Sequence, residues 1–269
     1  IRILMLSIEE IKLLIEKLEK VKKEDLQELI DSNLKILKDL ALAVDANNTE
    51  VINRMDKTPE WFARDLEQKQ LNPTVDPILA KQVQTKIFQF AKSNLYNSLE
   101  IGPGNGMFSM DFRSWRQNFF LDITHKISAS IIEKFNPQHR KYLKFYKTRN
   151  TECSNIPQGS CNFVFSWDTF VFFTQQHVQQ YLHDIKRVLL PGGYCFIQYA
   201  DCHYDQELEL AKRGYWNYNT KTAMEQIIKD EGYEVVEMNQ FRPGASYAIF
   251  RKPGKQNPVV YRVSEITLD

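Results

Sequence analysis

Between residues 98 and 106 the chain reads Ser98-Leu99-Glu100-Ile101-Gly102-Pro103-Gly104-Asn105-Gly106. An apolar run ends here and a helical pattern begins. Glycines at such a junction let the backbone turn sharply and come close to a ligand. The spacing is G-x-G-x-G, with Met107 where a dinucleotide-binding turn needs its last glycine. Glu100 sits beside the turn, where it would repel a pyrophosphate and attract an ammonium or sulfonium cation. In a partly buried site that preference is on the order of several kcal/mol. Asp122 ends the run Asn118-Phe119-Phe120-Leu121, sixteen residues beyond Gly106. A carboxylate at a second strand tip accepts hydrogen bonds from both hydroxyls of a ribose. Capping the helix that follows is the competing role for Asp122, and the glycine turn upstream favours the ribose.

These residues need a sheet to bring them together, and the pattern supplies one. From residue 95 the chain alternates between strands and helices. Strand candidates are 98–101, 118–122, 144–147, 162–166, 193–199, 234–238 and 247–251; helix candidates among the first five are 107–116, 127–135 and 176–190. Such alternation specifies a largely parallel, doubly wound α/β sheet covered on both faces. Upstream, apolar residues recur at three- and four-residue steps from Ile8 to Leu18 and again from Leu26 to Val44, so residues 1–90 read as a helical N-terminal region. Ser7 and Glu10 have capping-box spacing. This region either packs on its own domain or serves as a cap or oligomerisation element.

The order LEIGPGNG, FFLDIT, NFVFSWD and IKRVLLPGGYCFIQYAD resembles class I S-adenosylmethionine (SAM)-dependent methyltransferases over about residues 90–252. The nearest likeness is to small-molecule and sugar methyltransferases. The resemblance implies a seven-stranded Rossmann-like sheet ending in an antiparallel hairpin, with residues 91–269 as the catalytic domain and SAM as methyl donor. It further implies that Glu100, Gly102 and Gly104 hold the methionine part and Asp122 the ribose. The loop Asn150-Thr151-Glu152-Cys153 would meet the adenine, with Glu152 as the acid that contacts its amino group. Asn105, Gly106, Ile123, Cys153, Ser166 and Trp167 complete the expected cofactor set.

Methyl transfer to a hydroxyl benefits from a base at the carboxyl end of the fourth or fifth strand. Asp168, in Phe165-Ser166-Trp167-Asp168, stands at such an end and either serves a substrate hydroxyl or caps the next helix. Trp167 and residues 170–173 form an apolar wall or part of the core. The family often places a His soon after this aspartate, but Phe172 or Phe173 stands there instead. His203 after strand five is the substitute candidate base, against the commoner role of a loop histidine. His177 and His183 fall on a helix and read as exposed or structural. Tyr215-Trp216-Asn217-Tyr218 suits stacking on a ring or packing under a lid. Pro191-Gly192-Gly193 reads as a structural turn before strand five.

Composition narrows the partners. Lys and Arg total 35 against 34 Asp and Glu, so no broad basic field gathers a phosphate backbone, and no nucleic-acid partner is expected. The run typical of amino-methylating nucleic-acid enzymes, N-P-P-Y, is missing, as is the Pro-Cys of cytosine carbon methylation. Asp168, Asp201 and His203 do not form a recognised metal set, so no metal is expected. The four cysteines lack C-x-x-C spacing, which fits reduced thiols and a cytoplasmic location. The apolar opening of residues 1–7 is short and runs straight into acidic residues, which argues against a secretory signal. No apolar run approaches the ~20 residues of a membrane span. The expected activity is methylation of an O or N atom of a small molecule, with a sugar or glycan-linked acceptor first. Protein methylation, or a SAM-binding interaction module without catalysis, is the alternative.

Overall fold

The computed structural model describes residues 76–90, 96–112, 115–123, 128–148 and 151–255, together with Lys12 and Leu37. The helical reading of residues 1–75 therefore lies outside the described residues, apart from those two helical positions. Seven strands form one sheet: β1 (Asn97–Ile101), β2 (Gln117–Asp122), β3 (Leu143–Lys147), β4 (Cys161–Ser166), β5 (Leu189–Gln198), β6 (Glu234–Gln240) and β7 (Ser246–Arg251). Their order is β3-β2-β1-β4-β5-β7-β6. The pairs β1–β2, β2–β3, β1–β4 and β4–β5 are parallel, while β7 runs antiparallel to both β5 and β6. All seven expected strands are present, and the closing hairpin is the one the resemblance implies.

Helices cover both faces. On one face α1 (Pro77–Phe90) buries Leu79, Val83 and Ile87, a four-residue repeat, against Phe163, Phe165 and Phe196. Pro77 opens α1, where a missing N–H costs nothing, and the Asp76 carboxylate accepts from Ile78 N–H at 2.7 Å. On the other face lie α3 (Gln175–Val188) and α5 (Lys221–Asp230), each capped by a threonine: Thr174 accepts from His177 N–H and Thr220 from Ala223 N–H. Short helices α2 (Ser128–Lys134) and α4 (Asp205–Lys212) complete the set. Strands β4 and β5 alternate Phe163, Phe165 and Phe196 toward α1 with Val164, Cys195 and Ile197 toward α3. All four cysteines are buried thiols, three of them in the layer under α3.

Two expectations need correction. Among the described residues of the stretch 107–116 there is no α-helix; a 3₁₀ turn (Ser109–Phe112) stands there instead. The segment carries Phe108, Phe112 and Trp115, all buried with Phe163 and Phe165. Burying three such side chains on one sheet face within eight residues outweighs helical propensity. The Pro191-Gly192-Gly193 turn lies inside β5 as an irregularity, where pairing jumps from Cys161↔Leu189 to Phe163↔Tyr194.

The aromatic layer under α1 sets a test. Phe163→Ala removes a fully buried ring that meets Phe112 at 6.0 Å and Trp115 at 5.6 Å between centroids. Stability in urea should fall by about 3–5 kcal/mol; a loss below ~1 kcal/mol would show that this layer does not carry the core.

Candidate functional site

The site gathers where parallel strands point their carboxyl ends. β1 stops at Ile101, and Gly102 N–H still donates to Leu121 O at 2.8 Å, so the turn leaves the sheet only after that bond. Gly102, Gly104 and Gly106 all have positive φ, at 66°, 53° and 74°. A Cβ on Gly102 would lie 2.0 Å from Thr169 Oγ1, and one on Gly106 would strike Ile131 at 2.8 Å, whereas one on Gly104 would meet nothing within 4 Å. Gly102 and Gly106 are thus glycines for packing, and Gly104 is the one facing open space. Exposed Asn105 offers its carbonyl to Lys134 Nζ at 2.5 Å. The turn runs into a 3₁₀ segment and not into an α-helix, and Gly106 N–H is bonded to Pro103 O at 2.8 Å.

Glu100 is 3% exposed and accepts a hydrogen bond from Ser109 Oγ at 2.6 Å. Burial pushes its carboxyl up to about 8, with Ser109 and the more distant charge of Lys134 pulling the other way and Asp111 and Asp122 adding repulsion. Such a carboxyl is short of positive charge and suited to a cationic ligand. Asp122 and Ile123 are half-buried at the tip of β2, and Asp122 O accepts from Thr148 N–H at 2.9 Å.

Around the β3–β4 connection, Thr151 Oγ1 donates to Gln180 Oε1 at 2.5 Å. Glu152 is half-buried and lines, with Gln176, Gln179 and His183, a groove of about 570 Å³ along α3. The Tyr181 phenol holds its proton well above the ordinary range, through burial first, then Cys153, Asp122 and Glu152, so these carboxylates share one neighbourhood. Cys153 is fully buried; its N–H donates to Asp184 and its carbonyl accepts from Arg187 Nη2 at 2.6 Å. These two bonds tie the backbone of Cys153 to α3.

Beyond β4, Ser166 Oγ donates to Ile101 O at 2.8 Å, tying β4 to the start of the turn. Trp167 is 7% exposed and packs edge-on against Phe108 and Phe196 and tilted against Phe241. Phe170 and Phe173 instead pack on Tyr181 on the α3 side and belong to the core. Asp168 has φ 56°, the single non-glycine residue with positive φ among the described residues. Asp tolerates this conformation better than most residues, but it still costs about 1–3 kcal/mol and often marks a functional bend. Burial raises the Asp168 carboxyl above the usual carboxylate range, with the neighbouring Gln198 amide opposing it. The following 3₁₀ turn is capped by Thr169, without a side-chain hydrogen bond, so Asp168 does not cap it.

After β5, Asp201 Oδ1 accepts from His203 Nδ1 at 2.8 Å and from Lys221 N–H at 3.0 Å. Asp201 N–H donates to Glu207 Oε2 at 2.5 Å, and the fully buried Glu207 also accepts from Ser246 Oγ and Gln240 Nε2. His203 is half-buried and fastened to Asp201. In the loop before α5, Tyr218 is core, Tyr215 is exposed, and Trp216 lies against Gly244 of the β6–β7 hairpin. His177 is half-buried and His183 exposed on α3. Sequence reasoning missed Ser109, Thr169, Gln198 and Glu207. Gln198 carried a signal, being a polar residue inside an apolar run, while Glu207, Thr169 and Ser109 carried none.

The match to the methyltransferase domain family runs over residues 48–238, more than half of the chain. The chain belongs to that family. It is a SAM-dependent methyltransferase (EC 2.1.1.-), and SAM is its cofactor. No curated protein matches it. Among solved structures the enzyme is similar to a Nostoc punctiforme O-methyltransferase (14% identity, 65% of this chain and 57% of that one, TM-score 0.54). It is similar to a Pyrococcus horikoshii protein (18%, 70% and 99%, TM-score 0.52). A third is the Haloferax volcanii complex between the Trm112 methyltransferase activator and a methyltransferase (14%, 66% and 95%, TM-score 0.51). At these identities the likeness shows the fold alone. Among the described residues the methyltransferase has no helix long and apolar enough to cross a membrane and no group of three side chains placed to hold a metal. The open space at Gly104 and the buried carboxyl of Glu100 both fit a SAM cation.

Glu100 gives the methyltransferase a pH signature. A carboxyl with its folded value raised from 4.5 to about 8 keeps a proton that the unfolded chain has lost. Ligand-free stability should therefore decline as pH rises through that window, by up to ~1.4 kcal/mol per unit from this group. Urea midpoints at about pH 5.5 and about pH 7.5 should differ more for the wild type than for Glu100→Gln. Equal differences would remove Glu100 as the source.

Proposed function

We propose that the enzyme methylates an O or N atom of a small molecule, with a hydroxyl on a sugar or glycan-linked acceptor as first choice. The observation that carries this reading is Asp168, held in a left-handed bend at the carboxyl end of β4 beside the Trp167 ring. Glu100 would take the ammonium of the methionine part, with the backbone at Gly104 alongside. Asp122 would take the ribose, Thr151 and Glu152 the adenine edge, and Ile123 and Trp167 would supply apolar contacts. SAM, when bound, supplies a methyl group activated by the sulfonium charge.

The chain's own residues then do four things. Trp167 and Phe241 wall the acceptor end and exclude water. The bend at residue 168 aims a carboxylate at the acceptor. Asp168 would take the proton that the acceptor hydroxyl loses as its oxygen gains the methyl group that SAM supplies. His203, fastened to Asp201, would orient the acceptor at the end of β5. Protein methylation is the second reading, favoured by exposed Tyr204 and Tyr215 at the rim of the same end. The Haloferax volcanii neighbour is a complex with a methyltransferase activator. That pairing supports a protein partner here, met through the N-terminal region of residues 1–90.

Asp168→Asn keeps a side chain that tolerates positive φ and removes the base. Turnover of a hydroxyl acceptor found by screening sugars, phenols and amines should fall about 100-fold with SAM affinity unchanged; undiminished turnover would exclude Asp168 as the base. Binding of SAM should release a proton from Glu100 below about pH 8, so affinity climbs with pH up to that point. Calorimetry in two buffers of different ionisation enthalpy reads the proton directly. The same heat in both would contradict the assignment.

A further inference from the structure

One polar residue inside the sheet has both ends of its side chain committed. Gln198 closes β5 and is 2% exposed. Its Oε1 accepts from the backbone N–H of Asp168 at 2.7 Å, and its Nε2 donates to the carbonyl of Gly244 at 3.1 Å. An amide used at both ends cannot flip without losing two bonds, so its orientation is fixed. The first bond falls on the residue whose backbone is held at φ 56°. The second falls on the tip of the β6–β7 hairpin, at a glycine with φ 82° that packs against Trp216.

The hairpin is not isolated. Phe241, just past β6, stacks on Tyr247 at 4.3 Å and tilts against Trp167 at 6.2 Å. Arg242 Nη1 bonds Asp76 Oδ2 at 2.6 Å, and Asp76 sits at the start of α1. A continuous path thus runs from α1 through the hairpin tip and Gln198 to the bend after β4.

We propose that Gln198 is a positioning residue that pins the Asp168 bend to the β6–β7 hairpin, so that the acceptor end of the site is set as one unit. This rests on the reading that acceptors bind at the carboxyl ends of β4 and β5. Two consequences follow from the geometry. Loss of the amide frees Asp168 N–H and lets its backbone leave the left-handed region. Disturbing the hairpin loosens Asp168 from a distance, although no residue of the hairpin touches its backbone N–H.

The test compares amide hydrogen exchange in the wild type, Gln198→Met and Arg242→Ala, on the free full-length protein. Methionine fills the same volume without hydrogen bonds, and Arg242→Ala, at the surface, guards against a Gln198 variant that does not fold. Gln198→Met should speed exchange at Asp168 by about tenfold or more and raise exchange at residues 241–245 with it, leaving strand β1 protected and SAM affinity unchanged. Arg242→Ala should raise exchange at Asp168 by a smaller factor. In turnover of the screened acceptor, Gln198→Met should lower kcat without raising the KM for SAM. Unchanged exchange at Asp168 in both variants, or a uniform rise across the whole sheet, would overturn the proposal. Failure of the base reading shows differently: Asp168→Asn would turn over normally while Gln198→Met still loosened both segments together.

Discussion

Everything at the ligand end follows from the placement of β1 between β2 and β4. The chain leaves the carboxyl ends of the neighbouring strands β1 and β4 toward opposite faces of the sheet, and such a reversal opens a crevice between the two strands. The glycine turn after β1, the Asp122 tip of β2 and the Asp168 bend after β4 stand at the carboxyl ends of three adjacent strands. Ser166 and Thr169 close the crevice from below by meeting Ile101 and Gly102. A residue earns a place here through the strand that ends beneath it, whatever its distance along the chain.

Two kinds of charge management coexist around the opening. Glu100 is buried with Ser109 as its side-chain donor and Lys134 as a more distant cation, and burial still pushes its carboxyl up to about 8. Asp201 and Glu207 are buried with donors to spare, each accepting several hydrogen bonds from neighbouring segments. The first arrangement suits binding, the second suits holding loops in place. The distinction lies in the donors that surround each carboxylate, since the residue types are nearly the same.

The strands were legible because half-buried and fully buried runs such as Phe119-Phe120-Leu121 and Phe163-Val164-Phe165 leave little choice. The glycine turn and its carboxylate were legible from spacing. The expected helix after the turn was not there, because three aromatic side chains seek the same sheet face and tertiary packing overrides local preference. Thr169 over Gly102 and Gln198 beneath Asp168 join residues 67 and 30 apart in sequence. No local pattern encodes such pairs. The positive φ of Asp168 was equally hidden, since an aspartate at a strand end reads first as a helix cap.

The buried thiols have a practical consequence. Cys153, Cys161, Cys195 and Cys202 are all shielded by the fold. Burial lifts the Cys153 and Cys195 thiols well above the ordinary value and pushes Cys161 up to about 12. Nucleophilic attack needs the thiolate, so the folded chain should be nearly blind to alkylating reagents. A single cysteine engineered onto the outer surface would then accept a fluorophore or spin label cleanly, with no native cysteine to be replaced first.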